Sequence, residues 1–182
     1  TASEEMLKLS EEAYEKAVAE KKAEGRKTVK LGYFSGSITH NDDFILIQPA
    51  VAKIMEKYPQ TELHIAGILD IPKEFEAFKE RVIAHPFADW KKLPEMIASM
   101  DINLAPLEES IFNEAKSENK WVEAALVRVP TIASNLGAFK RMIEHNKTGI
   151  LANTCEEWYE GLEALIVDTQ KRECIAKAAY DY

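Results

Sequence analysis

A chain of 182 residues, 46% hydrophobic and 30% charged, can bury a substantial core as one large domain or two small ones. Its formal net charge of -8 argues against a nucleic-acid partner, because a phosphate backbone calls for a basic face. Two cysteines without a CxxC spacing, and apolar runs far short of the ~20 residues that span a bilayer, exclude a disulfide framework and a transmembrane helix.

The opening stretch, TASEEMLKLSEEAYEKAV, is too charged for a signal peptide. Met6, Leu9, Ala13 and Ala17 recur at three- and four-residue steps and predict an amphipathic helix over 3–24, with Thr1 and Glu4 placed for a capping box. After Gly25, TVKLGYFSG (28–36) reads as a strand and DFILIQPAVAKIMEKYP (43–59) as a helix with an internal Pro49. TELHIAGIL (61–69) is a strand, PKEFEAFKE (72–80) a short helix opened by proline, and RVIAHPF (81–87) a strand. KLPEMIASM (92–100) is a short helix, DINLAPL (101–107) a strand, and EAKSENKWVEAALVRV (114–129) a helix. TIAS (131–134) is a strand, AFKRMIEHN (138–146) a helix and GILA (149–152) a strand, and the chain from Cys155 onward forms one or two helices.

Six short apolar strands alternating with helices, without an Asn-Gly hairpin signal, predict an α/β fold with a Rossmann-like, doubly wound parallel sheet of about six strands. Right-handed crossovers put every strand-to-helix loop on one edge, and ligands of such sheets bind there at the topological switch point. Residues 1–27 read as an N-terminal, interdomain helix and 28–182 as one Rossmann-like domain. A first residue other than Met and an end inside a helical pattern lead us to expect a piece of a longer chain, working in a reducing cytoplasm.

The carboxyl edge therefore holds the candidate chemistry. SGSITHNDDF (35–44) follows the first strand; Gly36 permits close backbone approach, and Ser35, Ser37, Thr39 and His40 supply hydroxyls and an imidazole. Asp42 and Asp43 suit the dipole of the next helix. The same loop also reads as a capped turn in which His40 is incidental. Gly67 closes the second strand, where it either relieves crowding or lets a ligand approach. His85, Pro86 and Phe87 close the third as a candidate wall for a base, although core or rim packing is the better reading of Phe87 and Trp90. His64, mid-strand, reads as a satisfied interior or face residue.

The fifth segment carries most. On a 100° wheel Asn113, Lys116, Lys120 and Glu123 share an arc of about 80°, with Val122, Ala125 and Leu126 opposite and facing the sheet. Lys116 and Ser117 occupy the expected first turn, where free N–H groups favour an anion. Glu123 is placed to accept from a diol. A wet helix face explains the same spacing. No DxD, HExxH or GxSxG occurs, so no metal site is expected and neither metal-dependent hydrolysis nor acyl transfer is supported.

The run from KLGYFSGSITHNDDF through N-x-x-K-S-x-x-K-x-x-E-A and PTIASNLGAF to NKTGIL and EEWYEGL resembles the C-terminal domain of family 4 retaining glycosyltransferases of GT-B fold, over about four-fifths of the chain. The branch most similar contains bacterial surface-polysaccharide transferases. The resemblance implies a domain that holds a nucleotide-diphosphate sugar, with Gly36 and Ser37 approaching the diphosphate, Phe87 receiving the base and Glu123 binding the ribose. Lys116 and Ser117 lie by the phosphates, and Lys116 with Lys120 neutralises the leaving group. Thr39, His40, Gly67 and Asn113 complete the expected substrate-binding set.

Ala115 stands where the first of two glutamates eight positions apart is usual, and the family's Arg and Lys after the first two strands are missing. The implied reaction transfers a sugar to a saccharide or lipid-linked acceptor without cofactor or metal. Its implied partners are the nucleotide sugar and an N-terminal acceptor domain of the same chain, in a cytoplasmic protein suited to peripheral membrane association. A piece alone would bind donor without turnover. A non-catalytic binding or scaffold module of the same fold is the alternative, and a GT-B nucleotide-sugar epimerase fits less well for want of its histidine and glutamate pattern.

Overall fold

The computed structural model describes residues 4–24, 28–34, 41–66, 72–86, 89, 91–107 and 119–182. Helix α1 (Glu4–Glu24) precedes strand β1 (Val29–Phe34), the short helix α2 (Asn41–Ile45) and helix α3 (Gln48–Lys57). Strand β2 (Thr61–Ala66), a 3-10 helix (Lys73–Arg81), strand β3 (Val82–His85), helix α4 (Leu93–Ala98) and strand β4 (Ile102–Ala105) follow. The second half holds α5 (Asn119–Leu126), β5 (Thr131–Ser134), α6 (Gly137–Met142), β6 (Ile150–Ala152), α7 (Cys155–Val167) and α8 (Thr169–Asp181).

All six strands pair in parallel in the order β3-β2-β1-β4-β5-β6. This is the doubly wound arrangement expected, and the order reverses between β1 and β4. Side-chain alternation explains why both faces must be covered. Leu31 and Tyr33 of β1 pack with Phe44, Ile47, Val51 and Ile54 of α2–α3 and with Trp158 and Leu162 of α7. Phe34 points the other way, into a cluster with Ala13 and Ala17 of α1, Ile97 of α4, Ala124 of α5 and Val127 just past its end. A third cluster joins Ala105, Trp121, Ala125, Ala133 and Phe139. Helix α1 thus packs on the domain itself through its small residues.

Several boundaries differ from the sequence reading, each for a local reason. The helix expected over 43–59 is broken: Pro49 would clash with the carbonyl four residues back, so it sits in the first turn of α3, after a turn in which Ile47 N–H donates to Phe44 (3.0 Å). Residues 73–81 form a 3-10 rather than an α-helix.

The helix expected to reach 129 stops at Leu126 because Arg128 adopts φ 57°. Val129 N–H donates to Ala124 (2.9 Å) and Arg128 N–H to Ala125 (3.0 Å), a Schellman closure before Pro130. Helix α6 ends at Met142 instead of 146, giving way to a turn with Asn146 at φ 66°. The stripe of α5 facing the interior is Trp121, Ala124 and Ala125, while Val122 and Leu126 are only half-buried, a rotation from the expected face.

Candidate functional site

The switch point lies between the carboxyl ends of β1 and β4, and α5 passes beside it. Asn103, buried on β4, donates through Nδ2 to the Lys120 carbonyl (3.2 Å) and to Thr131 Oγ1 on β5 (3.1 Å). One amide therefore fixes the first turn of α5 to two strands. Beyond β4, Leu107 N–H donates to the buried Ser134 hydroxyl at the end of β5 (2.8 Å). Also from α5, Trp121 Nε1 donates to the Thr148 carbonyl (2.8 Å). These bonds satisfy interior polar groups and leave little freedom in how α5 meets the sheet.

From that fixed turn the Lys120 side chain reaches Tyr33. Its Nζ is buried and lies over the Tyr33 ring, 5.0 Å from the centroid. Tyr33, on β1, is fully buried and tilted against Phe44, with ring centroids 4.8 Å apart. Burial, and after it the Asp43 carboxylate, holds the Tyr33 phenol well above the usual tyrosine range. Asp43 itself is 2% exposed. One turn along α5, burial pushes the Glu123 carboxyl up from its ordinary value, and the Lys120 ammonium opposes that shift. A cation, a carboxylate and a neutral phenol thus converge where the strand order reverses.

Of the residues singled out from the sequence, Lys120 and Glu123 are brought together there. Gly36, Ser37, Thr39, His40, Gly67, Phe87, Asn113, Lys116 and Ser117 lie outside the described residues, as do Thr1, Ser35 and Trp90. Their flanking strands end at the same edge. Asp43 sits in the first turn of α2, as expected, and is in addition buried beside Tyr33. Asn103 carried a legible signal, a polar residue inside the apolar run DINLAPL; Tyr33 carried none, since an aromatic in a buried strand reads as core.

At the end of β3, His85 Nε2 meets His64 Nδ1 at 2.8 Å, and His64 Nε2 meets Glu62 Oε1 at 3.0 Å. The carboxylate accepts from His64 Nε2–H, so His64 Nδ1 accepts the proton of His85 Nε2. Burial lowers both imidazoles from their ordinary value, with Lys30 adding to the effect and the Glu62 hydrogen bond opposing it at His64. His64 is the satisfied interior residue expected. His85 turns back toward it, yet with Pro86, Glu20, Asp89 and Glu95 it also borders a cleft of about 630 Å³. Among the described residues, no three His, Cys, Asp or Glu side chains are grouped to hold a metal ion, and no helix is long and apolar enough to cross a membrane.

The six-stranded parallel sheet flanked by helices has the fold of GT-B glycosyltransferases. Residues 30–168 match the family model described as glycosyl transferases group 1, and the chain belongs to that family. Among solved structures it is similar to Anabaena HepE, crystallised with UDP and glucose, at 23% identity and a TM-score of 0.65, over 91% of this chain and 46% of that one. The C-terminal domain of LpcC from Francisella tularensis, a glycosyl transferase group 1 family protein, aligns at 22% identity and a TM-score of 0.62, over 84% and 83%. WaaG, a glycosyltransferase involved in lipopolysaccharide biosynthesis, aligns at 19% identity and a TM-score of 0.68, over 95% and 46%. At these identities the likeness establishes the fold. The chain spans about half the length of the HepE and WaaG chains. No curated protein sequence matches it.

Proposed function

We propose that this chain is the donor-binding part of a glycosyltransferase that moves a sugar from a nucleotide-diphosphate sugar to a saccharide or lipid-linked acceptor. The observation that carries the reading is Lys120, held by Asn103 and Tyr33 at the β1/β4 switch point of a chain in the glycosyl transferases group 1 family. HepE, of like fold, was crystallised with UDP-glucose, which supports a nucleotide sugar as ligand.

In the reaction proposed, the bond between the anomeric carbon and the diphosphate oxygen breaks, and the nucleoside diphosphate leaves with the electron pair. The acceptor hydroxyl bonds to the same carbon with retention and gives its proton to the departing phosphate. Lys120 and Lys116 neutralise the developing diphosphate charge, Ser117 and Asn113 orient it, and Glu123 holds the ribose. Gly36, Ser37, Thr39, His40, Gly67 and Phe87 line the remainder. The protein's contribution is positioning and charge stabilisation, without metal or cofactor.

Residues 28–182 form the nucleotide-sugar domain and 1–27 an interdomain helix; an acceptor domain elsewhere in the full protein completes the cleft. We place the full protein in the cytoplasm, peripheral to the membrane where its acceptor is lipid-linked, in bacterial surface-polysaccharide synthesis.

Thermal unfolding with a panel of nucleotides and UDP-sugars tests this. A ligand at 100 times its Kd stabilises by about 2.7 kcal/mol, and Lys120→Ala should lose most of that shift. No shift with any nucleotide would favour the non-catalytic scaffold instead. Transfer catalysed by residues 1–182 alone would overturn the assignment of the acceptor site to another domain.

A further inference from the structure

We propose that Tyr33 is a positioning residue for Lys120, its ring face serving as the seat that holds the ammonium at the β1/β4 switch point. The inference rests on the donor-site reading of Lys120 for its functional meaning, and on geometry for the positioning itself.

Three observations converge. The Lys120 ammonium lies 5.0 Å from the Tyr33 centroid, inside the ~6 Å reach at which a ring quadrupole attracts a cation. The Nζ is buried, so this attraction is little diluted by water. The seat is also rigid: Tyr33 packs on Phe44 at 4.8 Å and Phe44 on Phe75 at 6.0 Å between centroids, and all three rings are fully buried. A flexible lysine gains from such a seat because its four-carbon stem otherwise samples many rotamers. Asn103 fixes the backbone of Lys120, and Tyr33 fixes its tip. A cation held in place before a diphosphate arrives costs less to order on binding.

The test varies the ring face without varying the fold. Phenylalanine and its progressively fluorinated analogues, placed at position 33 of the whole chain, keep nearly the same volume while weakening the quadrupole. Two quantities are read across the series. One is trace acetylation of Lys120 by mass spectrometry, with exposed Lys140 as internal reference; the other is UDP affinity by calorimetry. Lys120 acetylation relative to Lys140 should rise stepwise with fluorination, and UDP affinity should fall in parallel by about 2- to 30-fold in total. Acetylation that stays flat across the series overturns the role of Tyr33, whatever UDP does. Acetylation that rises while UDP binding is absent or indifferent upholds Tyr33 as the seat and overturns the donor-site reading of Lys120. Circular dichroism of each variant accompanies the series, and thermal midpoints that track fluorination while acetylation does not would also overturn it.

Discussion

Arg128 places its guanidinium over the Tyr14 ring of α1, 3.7 Å from the centroid. The Tyr180 ring of α8 lies 3.9 Å from the same group, and Glu11 pairs with it at 3.5 Å. The residue that closes α5 thereby binds the first and last helices to it, and it does so from a left-handed backbone that favours glycine. Arg128→Ala removes the stacking and keeps the strain, so it should lower stability by about 1–3 kcal/mol. Arg128→Gly removes both and should cost about 1 kcal/mol less. Urea unfolding of the pair decides; a glycine variant less stable than the alanine variant contradicts the strain at position 128.

The His64–His85 pair sets a pH dependence. Both imidazoles are held below the ordinary value of 6.5 in the folded chain. As pH falls below that value the unfolded state binds protons first, so stability is complete above it and is lost as pH falls through the folded values. Between about pH 7.5 and 5.5 the wild type should lose more unfolding free energy than His64→Gln. Equal losses would show that the pair does not set this slope.

Glu123 should display opposite effects on stability and on binding. Its raised carboxyl means that the ionised form is disfavoured in the fold, a cost present at neutral pH and relieved as pH falls through the folded value. Glu123→Gln should therefore raise the melting temperature at neutral pH while weakening UDP. A variant that is more stable and binds UDP as well as the wild type would remove Glu123 from the ribose site.

Gly32 leaves room on β1 for Met100, which follows α4. A Cβ there would lie 2.6 Å from Met100 Cγ and 2.8 Å from a ring carbon of Phe34. Gly32→Ala should cost about 1–3 kcal/mol by overpacking. Met100→Ala in the same chain should recover part of it, so the double variant falls short of additivity. Additive losses in denaturant unfolding would place the clash elsewhere.

Much of this architecture was written in local pattern. TELHIA and TIAS announce buried parallel strands, because a strand covered on both faces has no reason to alternate. Where the pattern overran, as at Pro49 or at Arg128 before Pro130, short-range backbone sterics overruled hydrophobic periodicity. The capping box of Thr154 and Glu157, both of whose hydrogen bonds form at α7, is written in the sequence as T-x-x-E at the start of the final apolar run.

The sequence by itself determined the fold class, the parallel sheet and the carboxyl edge as the place for Lys120 and Glu123, since each follows from residue type and period. Only the tertiary structure decided that Tyr33, Asp43 and Lys120 share one buried corner and that His85 turns toward His64. Strand order brings β1 beside β4 and β3 beside β2, and that order is chosen by the packing free energy of the whole core. No short stretch of chain encodes it.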